Sequence, residues 1–131
     1  MRGITIRDVD ERGILAVSLA SILEIIGERA LHSRWVLSGV EAWGEEAASQ
    51  LHRIADEHSS VDGEHLFDLA KGVWQIIDGK FEAFEPCQIS PWLTVLAVDS
   101  SAYDVCTDDV MLLAKFRKCF HNVSDLPEWA F

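Results

Sequence analysis

The sequence predicts a small α/β sandwich of the α+β type, with a mostly antiparallel sheet of about three to five strands packed against four helices. Three observations lead to this prediction. Apolar residues recur at helical spacing in four segments, Trp92 to Val98 is an almost continuous apolar run, and 131 residues suffice for one core. We therefore expect residues 1–131 to form a single compact domain with that apolar run at the centre of its sheet.

The first predicted element is a buried helix. Leu15, Leu19, Ile22 and Ile26 repeat at helical spacing, which predicts a helix from Ile14 to Ile26. This segment is too short to cross a bilayer, so we predict no membrane span there. Its wide apolar arc needs cover on most sides, either from other layers of the same fold or from a second copy in a homodimer.

A strand and two amphipathic helices are predicted next. Mixed alternation from Trp35 to Trp43 indicates a strand. The apolar positions of the second helix run from Ala47 to Ala55, and those of the third run from Leu66 to Ile77. Either Ser60 or Asp62 can serve as the N-cap of the third helix, because both side chains accept hydrogen bonds from free backbone N–H groups.

A hairpin is predicted after these helices. The Asp78–Gly79 pair should end the third helix, and a strand should follow from Lys80 to Glu85. The apolar run from Trp92 to Val98 predicts a strand covered on both faces. The turn residues Asp99, Ser100 and Ser101 then lead into a returning strand from Tyr103 to Cys106.

The last predicted helix follows this hairpin. Thr107 is the predicted N-cap, and Asp108 and Asp109 in the first turn match the positive end of the helix dipole. Basic residues near the other end match its negative end. The tail from His121 to Phe131 should add a short edge strand near Val123 and then lie on the surface.

The charge distribution is the clearest functional signal. The chain holds 22 acidic and 11 basic residues, for a net charge of −11, and residues 41–109 alone hold 15 acidic and 3 basic residues. This balance disfavours nucleic acids and anionic membranes, so we expect neither as a partner. The acidic segment either keeps the protein soluble or forms a docking face for a basic protein partner. The predicted partner-binding residues are Glu41, Glu45, Glu46, Glu57, Asp99 and Asp104.

Catalytic motifs are missing from the sequence. It contains no GxSxG nucleophile elbow, no glycine-rich phosphate loop and no P-loop lysine. We therefore predict no catalytic residue, no cofactor and a binding protein rather than an enzyme. One alternative is a carboxylate-dependent metal enzyme around Asp99, Asp104, Asp108 and Asp109, because hard cations prefer carboxylate oxygens. Helix capping and turn formation explain most of these residues, so we predict no metal ligand among them.

The cysteines bear on the compartment. Cys87, Cys106 and Cys119 are an odd number without a close pair, which argues against a disulfide framework and against a CxxC zinc or redox site. We predict that all three are buried free thiols in a reducing cytoplasm.

A resemblance covers the last third of the chain. The stretch from Pro91 to Val105, which contains Ala97-Val98-Asp99-Ser100-Ser101, resembles small uncharacterised bacterial proteins with an AVDSS hairpin. The whole chain is also similar in size and charge to bacterial immunity proteins, which are small acidic inhibitors of toxins. These features predict an acidic, non-enzymatic interaction module of the immunity or inhibitor type. The alternatives are the metal enzyme and a homodimeric structural subunit.

Overall fold

The computed structural model describes residues 1–127, and an antiparallel sheet is its largest feature. The seven strands are β1 Arg2–Ile6, β2 Arg34–Trp43, β3 Ser60–Asp62, β4 Gln75–Phe84, β5 Leu93–Val98, β6 Ala102–Thr107 and β7 Val123–Asp125. The five helices in this part of the chain are α1 Leu19–Ile26, α2 Glu28–Leu31, α3 Glu45–Asp56, α4 Gly63–Gly72 and α5 Val110–Cys119. The prediction of three to five strands and four helices is therefore wrong, although the chain is still α+β.

The strand order in the sheet is β3-β2-β4-β5-β6-β1-β7. The central strand is β5, as the apolar run predicts. However, the prediction that β5 is covered on both faces is wrong. Leu93, Val95 and Ala97 are buried against the core, whereas Thr94 and Leu96 are half-buried on the opposite face. The helices thus pack on one face of the sheet only, and the other face lacks a helical layer among residues 1–127.

The core lies between the helices and the covered face of the sheet. Trp35, Phe81 and Phe116 are its largest fully buried side chains. The Trp35 indole Nε1–H donates to the Ala30 carbonyl oxygen at 2.9 Å, so this buried polar group is satisfied. No helix within residues 1–127 has the length and apolar character needed to cross a membrane.

Helix α1 begins later than the sequence predicts. It starts at Leu19, where Ser18 and Ser21 form a capping box, whereas the predicted helix starts at Ile14. The Asp10 carboxylate accepts hydrogen bonds from the Arg12 and Ile14 backbone N–H groups at 2.8 and 3.1 Å, which folds the preceding segment into a turn. The apolar side chains of α1 are buried or packed against the core, so their wide arc is covered within the chain.

The boundary between α4 and β4 also differs from the prediction. Asp62 is the N-cap, accepting from the His65 backbone N–H at 2.8 Å, as predicted, but the helix ends at Gly72 and does not reach Ile77. The helical spacing continues past this point, yet β2 pairs with the chain from Gln75 onward. The Asp78–Gly79 pair consequently lies inside a strand. A Cβ on Gly79 would lie 2.9 Å from the Phe81 ring, so the glycine allows close packing and does not end a helix.

Strands β1, β3 and β7 depend on distant pairing. The sequence pattern does not predict β1, which lies between β6 and β7, or β3, which pairs with the start of β2. The predicted edge strand near Val123 is confirmed as β7. The end of the predicted tail, residues 128–131, lies outside the described residues.

Two further predictions need correction. Asp109 is the N-cap of α5, since its carboxylate accepts from the Leu112 backbone N–H at 3.1 Å, whereas Thr107 ends β6 and its hydroxyl donates to the Trp92 carbonyl oxygen. The prediction of three buried thiols is wrong for Cys87 and Cys119, which are exposed. Only Cys106 is buried, and burial raises the pKa of its thiol.

Candidate functional site

Two exposed tryptophans have neighbouring backbones at one end of the sheet. Trp43 ends β2 and is 60% exposed, and Trp74 lies just before β4 and is 74% exposed. The Trp74 backbone N–H donates to the Trp43 carbonyl oxygen at 2.9 Å, so both residues have a fixed backbone. Exposed aromatic residues are enriched at protein interfaces and often provide most of the binding energy there. This pair is therefore the strongest candidate contact point on the described surface.

The junction between β2 and α3 positions these tryptophans. Gly44 has a φ of 128°, and a Cβ on it would lie 2.5 Å from the Trp74 backbone nitrogen and 3.1 Å from the Trp74 ring atom Cγ. Only glycine allows this close approach. The next residue, Glu45, has a φ of 54°, and α3 starts without a side-chain N-cap hydrogen bond. The chain thus stores backbone strain beside the exposed indole, which is common at functional sites.

Carboxylates surround this end of the sheet. A register irregularity in β2 between Ser38 and Ala42 places Glu41 opposite Asp78 of β4, so two like charges face each other across neighbouring strands. Asp99 follows β5, and its backbone N–H donates to the Asp78 carboxylate at 2.9 Å. Glu41, Asp78 and the backbone of Asp99 therefore lie near one another at this end of the sheet, although they are distant in sequence.

The turn that carries Asp99 is itself strained. Asp99 and Ser100 have φ values of 47° and 58°, which fits a type I′ turn, a geometry that usually uses Asn-Gly. The Ser100 backbone N–H donates to the Ile77 carbonyl oxygen at 3.0 Å, and this bond ties the turn to β4. The turn is thereby held against the sheet end that carries the tryptophans.

We call this region the tryptophan surface. Its members are Trp43, Trp74, Glu41, Glu45, Glu46, Asp78 and Asp99. Four of the six predicted partner-binding residues belong to it: Glu41, Glu45, Glu46 and Asp99. Glu57 does not, because it caps the other end of the twelve-residue α3, about 18 Å from Glu45. Asp104 does not either, because it lies within β6 and accepts a hydrogen bond from the Thr5 hydroxyl at 2.6 Å.

The carboxylates of the tryptophan surface lack salt-bridge partners within residues 1–127. The nearest lysines in sequence already contact other acids. The Lys71 ammonium lies 3.5 Å from the Asp68 carboxylate, and the Lys80 ammonium lies 3.9 Å from the Glu82 carboxylate. The surface consequently presents uncompensated negative charge around apolar rings.

The carboxylates considered for a metal site do not converge. Asp99 and Asp108 lie beyond opposite ends of β6, about 20 Å apart, and Asp109 is engaged as a helix cap. Over the described part of the chain, no three His, Cys, Asp or Glu side chains are arranged to hold a metal ion.

Sequence reasoning missed both tryptophans. The predicted strand ends at Trp43, and the predicted third helix has Trp74 among its apolar positions, so neither residue is predicted as an exposed contact. Comparisons with protein-family models, with curated proteins and with solved structures find no match to this chain.

Proposed function

We propose that this protein is an acidic, non-enzymatic interaction module that binds a basic protein partner through the tryptophan surface, as an inhibitor or immunity-type protein would. One observation carries the proposal: Trp43 and Trp74 are exposed on a fixed backbone, with carboxylates around them and no cation paired to these carboxylates in residues 1–127. A basic partner would supply the missing cations and bury the indole rings.

The tryptophans and the carboxylates contribute to binding in different ways. Burying an exposed tryptophan removes a large apolar area from water, which supplies affinity and slows dissociation. Carboxylates at the rim attract a positively charged partner before contact and accelerate association. The same negative charge opposes nucleic acids and anionic lipids, so neither is part of the proposal. The free state of the three cysteines supports a reducing compartment, and we place the complex in the cytoplasm.

The experiment uses two matched double variants at opposite ends of α3. Glu45→Lys/Glu46→Lys reverses two charges on the tryptophan surface, and Asp56→Lys/Glu57→Lys makes the same charge change at the other end of the helix. The wild-type protein is immobilised, the partner captured from lysate of its source cells is identified and purified, and its association is measured at low and high salt. Melting temperatures of both variants establish that they are folded.

The expected partner has an excess of Lys and Arg. Its association rate should fall about tenfold or more with Glu45→Lys/Glu46→Lys and with added salt, and far less with Asp56→Lys/Glu57→Lys. Trp43→Ala/Trp74→Ala should mainly increase the dissociation rate. A partner of neutral or acidic composition, or one that binds all these variants like the wild type, would refute the proposal.

A further inference from the structure

A groove runs beside Trp74. One wall is the segment from Ile14 to Ser18, the other is the segment from Trp74 to Ile76, and the Tyr103 side chain forms its floor. Its volume is about 410 Å³. Ile14 and Trp74 both line it and are 52% and 74% exposed, so exposed apolar side chains stand beside it.

Backbone hydrogen bonds hold both walls in place. The Ala16 N–H donates to the Asp8 carbonyl oxygen at 2.7 Å, and the Ile14 N–H donates to the Asp10 carboxylate at 3.1 Å. The opposite wall is fixed by the bond from the Trp74 N–H to Trp43. A groove that exists before binding costs little ordering entropy when a ligand enters.

The floor of the groove carries no charge at neutral pH. Burial raises the pKa of Tyr103 to about 12, even though a hydrogen bond with the Leu19 backbone lowers it in part. Because no acidic or basic side chain lines the groove, a charged group of an occupant is better stabilised at the rim than inside. There the Trp74 ring lies against Gly44, and the adjacent residue is Glu45.

These features fit the arginine side chain. Its aliphatic stem can lie in an apolar groove, and its planar guanidinium stacks on indole rings while donating to carboxylates. This chain contains the same combination elsewhere: the Arg29 guanidinium lies 3.7 Å from the centre of the Trp92 ring and donates to Glu85. Lysine has a compact, strongly hydrated ammonium and uses such a site less well.

We infer that the groove between Ile14–Ser18 and Trp74–Ile76 receives an arginine side chain of the basic partner, with the guanidinium stacked on Trp74 next to Glu45. This inference rests on the proposed function, because it assigns one anchor residue to the partner that the tryptophan surface would bind. It also accounts for the position of the exposed indole, which lines the groove and packs against Gly44, the residue before Glu45.

The probe is a short peptide with two arginines separated by leucine, compared with peptides in which lysine or neutral citrulline replaces arginine. Binding is followed through the indole N–H signals of Trp43 and Trp74 in NMR spectra of the labelled protein. The arginine peptide should shift the Trp74 signal in a saturable manner. The lysine peptide should bind about fivefold more weakly, and the citrulline peptide should show no saturable shift.

Matched variants separate the inference from the proposed function. Ile14→Arg places a competing cation at the groove, whereas Met111→Arg makes the same change at a residue that is 77% exposed on α5. Ile14→Arg should abolish the preference for the arginine peptide over the lysine peptide, and Met111→Arg should not. Ile14→Ser, which only shortens this side chain, should weaken binding of the arginine peptide. If lysine equals arginine and the Ile14 variants have no effect, the groove inference is wrong. If Glu45→Lys/Glu46→Lys also leaves peptide binding unchanged, the proposed function fails as well.

Discussion

The guanidinium of Arg29 lies 3.7 Å from the centre of the Trp92 ring, and this stack joins α2 to the residue that precedes β5. Arg29 also donates to the Glu85 carboxylate through Nη2 at 2.8 Å and through Nε at 3.2 Å. The Trp92 indole N–H donates to the Ser33 hydroxyl, and that hydroxyl donates to the Arg29 carbonyl oxygen. The stack is therefore part of a closed set of contacts that fixes one end of the sheet.

We expect Arg29→Lys to destabilise the protein by about 1 kcal/mol, because lysine keeps the charge but loses both the planar stack and the bidentate hydrogen bonds. The measurement is the free energy of unfolding in urea. Arg53→Lys is the matched control, since Arg53 is exposed on α3 and should tolerate the change within about 0.5 kcal/mol. Equal stability of the two variants would contradict a structural role for the stack.

The same contact predicts a pH dependence. The hydrogen bond from Arg29 lowers the pKa of Glu85 below its ordinary value of 4.5, and the positive charge of Arg29 acts in the same direction. The folded state thus favours the carboxylate, so this contribution to stability is complete above the pKa of the unfolded chain. It is lost as the pH falls through the lower pKa of the folded protein.

Wild type and Glu85→Gln should therefore differ most in stability near neutral pH, and the difference should shrink below about pH 4.5. The midpoint of urea unfolding, followed over a pH series for both proteins, measures this difference. A difference that stays constant through the acidic range would show that the pair with Arg29 does not control it.

Local sequence signals predict the elements that depend on local structure. The amphipathic spacing of α3 and the hairpin of β5 and β6 are confirmed, since neighbouring residues alone specify them. Strand β1 carries no comparable signal. Its pairing with β6 joins Ile4 to Val105, and such distant pairing leaves no mark in the local pattern.

The error at β4 has a similar cause. Leu69, Val73 and Ile77 are spaced for a helix, so periodicity predicts that the helix continues. The Trp74 N–H instead pairs with Trp43, and tertiary pairing with β2 determines the structure. The candidate site shows the same limit. The acidic composition reveals the charge of the candidate site. The exposure of Trp74, however, depends on the end of α4 at Gly72, which the local sequence does not specify.

Ile22 tests the placement of α1 in the core. Its side chain is fully buried, and we expect Ile22→Ala to destabilise the fold by roughly 2 to 5 kcal/mol through lost burial and a cavity. Chemical denaturation gives the value directly. Ile14→Ala is the comparison, because Ile14 precedes the helix and is exposed, so its replacement should cost far less. Similar losses for both would contradict the burial of Ile22 and the exposure of Ile14.

The backbone conformation of Glu45, within the tryptophan surface, should reduce the stability of the protein. Its φ of 54° is unfavourable for any residue with a Cβ, and this conformation costs about 1 to 2 kcal/mol. Glycine adopts it without that cost, so Glu45→Gly should stabilise the protein by about 1 kcal/mol in urea unfolding. Glu46→Gly is the matched control, because Glu46 lies in the first turn of α3 without a positive φ, so glycine there should destabilise by up to about 1 kcal/mol.

Both substitutions remove one carboxylate from the same helix end, so loss of charge cannot explain opposite changes in stability. If Glu45→Gly is no more stable than Glu46→Gly, the left-handed backbone at Glu45 carries no strain. If Glu45→Gly is more stable but associates more slowly with a basic partner, the strained backbone at Glu45 is retained because its carboxylate contributes to binding. That result would connect the backbone geometry of the β2–α3 junction directly to the proposed interaction.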